Sequence, residues 1–387
     1  MCRYLHVICA AALIAALALF SGCTDVREAN EIAPALGSGI ELDDHEEQLK
    51  LSIQFAVPEG SSEQATSIKK TTVMSSTGRT ISEASRNLSL SLPLTPILTH
   101  VGTFIIGERL AQTDLGILAD FLIRNPNHRE TTYIFVSKGS PPEEILNTAT
   151  PLEASSAIGL ANILEVQENR NAIYQPVQSN QFFRNLTTSG IEPFCPIVSV
   201  IKNGDKKILK LAGTAVFKKN RMVGELNETE SRAFTLMNPK GSQGGLLVVR
   251  WNKNTLLTIE VIRLKANYKA VIDKTGKLRM RVELKGEGNY YEQFGPGEIL
   301  TIPNITKIEN KTEQKITRDI LQCIQKLQLM GCDILGWGQI YRAQYPAAWQ
   351  VMRDDWPHYF AQIEPEVKVN FAIRRSYLST QSFEYRE

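Results

Sequence analysis

One uninterrupted apolar run, Val7 to Phe20, constrains the chain more than any other feature. It is 14 residues long, and a helix that crosses a bilayer needs about 20. Arg3 stands in front of it, no acidic residue precedes Asp25, and Ser21, Gly22 and Cys23 follow. That is the layout of a secretory signal peptide ending in a lipoprotein cleavage site. The reading is cleavage between Gly22 and Cys23, with Cys23 becoming the first mature residue, S-diacylglycerol on its sulfur and an acyl group on its nitrogen. Phe20 stands where such sites usually carry Leu, and an uncleaved short anchor is the alternative. One acyl chain binds a membrane marginally, whereas two or more hold it stably. No second run of 18 apolar residues exists, and windows such as Thr103 to Gly107 or Leu246 to Trp251 have strand length. The remainder is therefore expected to fold as a globular chain on the extracytoplasmic face, tethered by lipid.

The chain has 387 residues, a length that suggests about two or three domains. Its formal charge is +2, falling by one when Arg3 leaves with the leader. That is no nucleic-acid footprint. Of six cysteines, Cys2, Cys9 and Cys23 belong to the leader and its cleavage site. Cys195, Cys323 and Cys332 are odd in number and make no disulfide framework. They are expected to be small buried hydrophobes.

Residues 24–48 read as polar and extended, punctuated by Pro34, Gly37 and Gly39. Leu51, Ile53, Phe55 and Val57 alternate with Lys50, Ser52, Gln54 and Ala56, which predicts a strand with one buried face. Thr80 and Glu83 form a capping-box pair before a stripe at Ile81, Ala84 and Leu88. Val101 to Ile106 and Thr132 to Val136 read as buried strands. Between them Asp114 caps a helix carrying Leu115, Leu118, Phe121 and Leu122, which Asn125-Pro126 stops. Pro142 opens a short helix through Leu146. Strand and helix alternating in this way predict an α/β layer with part of its sheet parallel. Residues 166–195 show no clear period and read as a connector.

After it come hairpin signals around Asn203-Gly204-Asp205 and Lys218 to Arg221. Asn227 and Glu230 cap a short helix. Leu257 to Val261, Tyr268 to Ile272 and Leu278 to Leu284 alternate like an antiparallel meander with one wet face. Ile316, Ile320, Ile324 and Leu327 mark a long helix. Trp337, Tyr341, Tyr345 and Trp349 follow at near-helical spacing, as a core stripe or a binding groove. Val367 to Ile373 closes the chain as a strand. The expected architecture is mixed α/β and α+β: several domains of mixed β-sheets with packed helices. The divisions are a leader at 1–22, an N-terminal α/β domain at 23–195 and a C-terminal α+β domain at 196–387.

Reactive chemistry is sparse. There is no G-x-S-x-G, Walker A, G-x-G-x-x-G or H-E-x-x-H pattern. The five histidines are dispersed, which argues against a zinc site. Glu143-Glu144 and Asp354-Asp355 are adjacent in sequence, so on a helix they point to different faces. His100, before an apolar strand, reads as structural. The residues thus point to a non-catalytic protein with no cofactor and no metal.

Several stretches, in order, resemble the Ger(x)C family, the lipoprotein C subunit of spore nutrient germinant receptors. Gly22-Cys23-Thr24-Asp25-Val26-Arg27-Glu28-Ala29-Asn30-Glu31 is similar to the family's G-C-W-D-x-R-E-L-N-E, with Thr24 and Ala29 as departures. Glu83 to Pro93 matches E-A-x-R-N-L-S-x-S-L-P. His100 with Ile105-Ile106-Gly107-Glu108, then Asp120, Phe121, Arg124 and Pro126, continue the match. Gly213 to Gly224 fits G-x-A-V-F-K-x-x-x-x-V-G. Asp333, Gly336, Gly338, Arg342, Tyr345, Pro346 and Trp349 fit D-x-x-G-x-G-x-x-x-R-x-x-Y-P-x-x-W. The resemblance implies a multi-domain α/β fold, membrane-embedded A and B subunits as partners, and the spore inner membrane as location. Arg342, Tyr345 and Trp349 are the candidates for contact with those partners. The rival expectation is an extracytoplasmic solute-binding lipoprotein that captures a small molecule itself. Two similar lobes would favour it, and the two halves differ in pattern.

Overall fold

The structure, a computed structural model, describes residues 31–43, 48–57, 71–125, 129–297 and 299–376. Gly22, Cys23 and the rest of the leader lie outside the described residues. In chain order the first module comprises β1 (Ile32–Leu42), β2 (Leu49–Ala56), β3 (Thr71–Gly78), α1 (Ile81–Ser89), β4 (Thr95–Ile97), β5 (Thr103–Gly107), α2 (Glu108–Ala111), α3 (Gly116–Arg124), β6 (Tyr133–Ser137), α4 (Pro142–Asn147), α5 (Ser156–Arg170), α6 (Ser179–Thr187), β7 (Phe194–Asn203), β8 (Lys206–Lys218) and β9 (Arg221–Leu226). Their strands form one sheet in the order β3-β2-β1-β5-β6-β7-β8-β9, with β4 beside β1.

The centre of that sheet, β1-β5-β6-β7, is parallel. Antiparallel neighbours close it at both ends. Parallel neighbours need crossovers, which α2 and α3 supply between β5 and β6, and α4 to α6 between β6 and β7. Strand alternation divides the side chains between two faces. Phe104, Ile106, Ile134 and Val136 join Leu110, Leu118 and Leu122 on one. Ile105 and Phe135 join Ile145, Leu160 and Leu164 on the other.

Several expectations change. Residues 32–42, read as a polar extended segment, form a central strand. Gly37 and Gly39 are places where a helix presses on it: an added Cβ would lie 2.4 Å from Ala157 Cβ and 2.4 Å from Pro142 Cβ respectively. The β2 strand is covered on both faces, so Ser52 and Gln54 are buried. Gln54 is tolerated because its amide is satisfied: Nε2 donates to Leu146 O (2.8 Å) and Ser156 Oγ (2.9 Å), and Oε1 accepts from Ser155 Oγ (2.7 Å) and Ala157 N (3.1 Å). The presumed connector 166–195 holds the end of α5 and all of α6, which buries Phe182 and Phe183. Position 195/196, where the second half was expected to open, lies inside β7, and backbone pairing continues through β8 and β9 to Leu226.

Caps follow the sequence with small shifts. Thr80 accepts from Glu83 N at 3.1 Å, but the Glu83 carboxylate accepts from Arg79 N (2.7 Å) instead of closing the box. Asp114 accepts from Gly116 N at 2.6 Å, one residue outside the N-cap. At Asn227 and Glu230 both bonds of the capping box are made.

The second module comprises α7 (Glu228–Leu236), β10 (Leu246–Arg250), β11 (Leu256–Ile272), β12 (Leu278–Phe294), α8 (Ile302–Met330), α9 (Trp337–Gln344), α10 (Pro346–Met352), α11 (Trp356–Gln362) and β13 (Glu364–Ser376). Its sheet runs β10-β11-β12-β13. The stretches at Leu257 and Tyr268, expected as separate strands, are one strand with bulges at Thr258/Ile259 and Val261/Arg263. Bulges shift the alternation by one, so a period-2 reading breaks there. The last strand, β13, returns parallel to β12. Across it lies α8, burying Ile308, Ile316, Ile320, Ile324 and Leu327. Gly331, at φ +62°, ends that helix, and Cys332 N donates to Leu327 O at 3.0 Å. This is the left-handed termination glycine permits. One buried cluster runs from Ile40 to Phe371, so the two modules share a core.

Candidate functional site

The motif residues from Asp333 onward converge on a joint between the modules. Asp333 is 1% exposed. Its Oδ1 accepts from Trp337 N (3.0 Å), and Oδ2 accepts from Gly338 N (2.8 Å) and Trp356 Nε1 (2.9 Å). Gly336, the N-cap of α9, has φ +71° and no side chain to offer, so Asp333 takes over the capping of that helix. Burial pushes its carboxyl up to about 7, against the opposing effect of the N–H donors from Gly338, Trp337 and Trp356.

The first module enters through the segment before β7. Glu192 N donates to Asp333 O at 2.9 Å, and Gln339 Nε2 donates to Ser189 O. Gly190 and Gly338 meet backbone to backbone: a Cβ on Gly338 would lie 2.5 Å from Gly190 Cα. The rings pack behind this contact, edge to face or tilted. Trp349 and Trp356 are 5.1 Å apart, Tyr341 and Trp356 5.7 Å, and Trp337 and Phe360 5.6 Å. Tyr341 Oη donates to Arg279 O at 2.7 Å. Trp337, Tyr341 and Trp349 are therefore core, with Tyr345 at its margin.

This sorts the three candidate contact residues. Trp349 is 3% exposed and packs within the core, against Trp356. Arg342 is exposed, and Tyr345 is half-buried at the break between α9 and α10. A groove of about 360 Å³, lined by neither, opens between Ile272, Leu278, Ala348, Val351, Met352 and Tyr359.

The paired acids do other work. Glu143 binds Lys50 (2.6 Å) and Glu144 binds Lys207 (2.7 Å). The hydrogen bond from Lys50 holds the Glu143 carboxyl below its ordinary value against burial. Asp354 lies 3.4 Å from Arg353. His100 is exposed, with Nδ1 3.3 Å from Thr99 Oγ1. Cys195, Cys323 and Cys332 are free and buried, and burial pushes the Cys332 thiol up to about 12. Among the described residues no group of three His, Cys, Asp or Glu side chains is placed to hold a metal ion, and no helix is long and apolar enough to cross a membrane.

What sequence reasoning missed is the role of Asp333. Its position three residues before G-x-G at a helix start was a capping signal. Its other partners, Trp356 and the 189–192 segment, are too distant in sequence to be paired with it by spacing.

Comparison with known proteins agrees with this architecture. Residues 25–200 match the spore germination protein N-terminal domain, and residues 212–377 match the spore germination B3/GerAC-like C-terminal domain. Spore germination protein B3 of Bacillus subtilis (strain 168) is 24% identical over 371 residues, covering 91% of this chain and 93% of its own. Spore germination protein A3 of the same organism is 25% identical over 378 residues, covering 92% and 94%. The crystal structure of the GerBC protein superposes with a TM-score of 0.58 at 18% identity, over 90% of this chain and 99% of that one, and so shares the fold. The two matched domains follow one another along the chain, N-terminal then C-terminal. The chain belongs to the Ger(x)C family.

Proposed function

We propose that the chain is the non-catalytic, lipid-anchored C subunit of a spore nutrient germinant receptor, acting beside membrane-embedded A and B subunits on the spore inner membrane. The observation that carries this is the pair of germination-family matches that together run from residue 25 to residue 377. In this reading Cys23 carries the lipid after cleavage at Gly22-Cys23. The tether confines the folded modules to the surface their partners occupy. Confinement converts assembly into an event at high effective concentration, so a modest contact suffices. Exposed Arg342 and half-buried Tyr345 are the residues we assign to that contact.

Co-purification from spore inner membrane tests it. The wild-type chain is expected to bring down A and B subunits, and Cys23→Ala to lose both membrane partition and co-purification. A Cys23→Ala chain that stays membrane-bound, with normal germination, would overturn the anchor. Arg342→Glu with intact assembly would remove the contact.

A further inference from the structure

The first sheet has two unlike ends. At one of them β1 begins: Thr95 N donates to Glu31 O at 3.0 Å, and Ile32 pairs with Thr95 of β4. Three apolar side chains reach solvent at this end. Leu90, which closes α1 shortly before β4, is 83% exposed, whereas Leu88 is buried. Val57 follows β2, where Phe55 pairs with Ala35 of β1, and is 40% exposed. Leu152 is 100% exposed in the turn bridged by Thr150 and Glu153. That turn is held at the same end, because Ala154 O accepts from Thr71 Oγ1 (3.4 Å) and Thr71 is the strand partner of Ala56.

Single exposed apolar residues are ordinary on a protein surface, so the tether decides what these three mean. From Cys23 to Glu31 the chain advances eight residues, at most about 29 Å when fully extended. Leu42, at the far end of β1, lies eleven residues beyond Glu31, about 36 Å along the strand. With that far end on a bilayer, Glu31 would stand out of reach of a lipid on Cys23. With the start of β1 facing the bilayer, the tether has slack. The far end also has the wrong chemistry: Glu41, Asp43, Lys50, Glu108 and Arg109 line a cleft there, and charge is costly to bring into lipid. At the near end the Glu153 carboxylate, beside Leu152, is folded onto its own backbone and accepts from Ala154 N at 2.9 Å. Leucine and valine side chains have the opposite preference and gain by leaving water for acyl chain.

We propose that this end of the first sheet is the membrane-docking face of the protein, with Leu90, Leu152 and Val57 seated at the headgroup–acyl boundary of the bilayer. The inference rests on the lipid anchor at Cys23 and adds the surface that meets the lipid. Introduced cysteines can be labelled selectively, because Cys195, Cys323 and Cys332 are buried and Cys23 carries lipid in this reading. The full chain is made as Leu90→Cys, Leu152→Cys and, as a control, Ile201→Cys. Ile201 lies three residues past Val198, the partner of Ser137 at the last residue of β6, and so at the far end. Each variant takes a polarity-sensitive fluorophore and is reconstituted with phosphatidylcholine–phosphatidylglycerol vesicles. The chain is expected to float with the vesicles. Labels at 90 and 152 are expected to shift to the blue and to be quenched by brominated acyl chains, while the label at 201 keeps its emission in water. A chain that does not float overturns the anchor, and this face with it. A chain that floats with water-like labels at 90 and 152 overturns the face alone, and shielding of those labels only in spore membranes would make a protein the cover.

Discussion

Asp333 and Gln54 are both buried, and both are hubs, yet their chemistry differs. Gln54 is neutral, and its donors and acceptors are matched by four bonds. Asp333 meets only N–H donors, which suit a carboxylate, in a setting whose burial disfavours charge. Burial prevails, and the folded carboxyl titrates at about 7 against an ordinary 3.8. The folded state therefore keeps its proton over a range where the unfolded chain has released it. Stability linked to this group is fully present below about pH 4 and is lost as pH rises through 7. Asp333→Asn removes that dependence. It also sets an amide N–H₂ against a donor, leaving one donor unpaired at a cost of about 2 kcal/mol. Denaturant unfolding from pH 4 to pH 8 is expected to show a declining wild-type curve and a flatter variant curve below it at acid pH. Two parallel curves would rule out Asp333 as the titrating group.

At the scale of elements, β13 is one edge of the second sheet. Its backbone N–H groups at Phe371 and Ile373 are taken by Glu313 Oε1 (2.8 Å) and Glu309 Oε1 (2.9 Å) from α8. The geometry is commensurate: four helical residues rise about 6 Å, and two strand residues advance about 6.6 Å. Two carboxylates on one helix face thus meet two successive outward amides, blunting an edge that is otherwise open to pairing. Glu309→Ala/Glu313→Ala is expected to cost about 2 kcal/mol and to speed amide exchange at Phe371 and Ile373, while the double Gln variant keeps most of the protection. Unchanged exchange in the Ala pair would show that the carboxylates are incidental. Neither glutamate was legible as a strand partner, because the helix stripe shows only which residues face inward. The stripe itself, from Ile316 to Leu327, was readable since one face is wet and the other dry. β1 was not readable, because Gly37 and Gly39 remove the side chains that carry a period exactly where α5 and α4 press on the strand. α6 was not, because its three apolar residues, Phe182, Phe183 and Leu186, stand among polar ones in a helix of only nine.

Across the whole molecule, the two sheets are joined by a common core and by the Gly190–Gly338 contact. The motif legible as a string from Asp333 to Trp349 works as this joint, and only its partners at 189–192 and 356 give the string a structural meaning. The contact leaves no room for a methyl group: a Cβ on Gly338 meets Gly190 Cα at 2.5 Å and Gly190 O at 2.7 Å, both backbone. Backbone cannot rotate away as a side chain does, so the 189–192 segment must lift off the second module. Its bonds to Asp333 and Gln339 go with it. Forcing atoms into a packed interface costs about 1–3 kcal/mol. Calorimetry of the wild-type chain is expected to show one transition, because a shared core couples the modules. Gly338→Ala is expected to lower Tm and to split the transition or broaden it, with protease cleavage appearing between residues 187 and 193. Gly102→Ala is the control: its Cβ would meet nothing closer than Leu36 O at 3.9 Å, and its Tm is expected to stay near that of the wild type. A Gly338→Ala chain that melts in one unshifted transition would show that the modules are held by the sheet-to-helix core alone, with the glycine contact adding nothing.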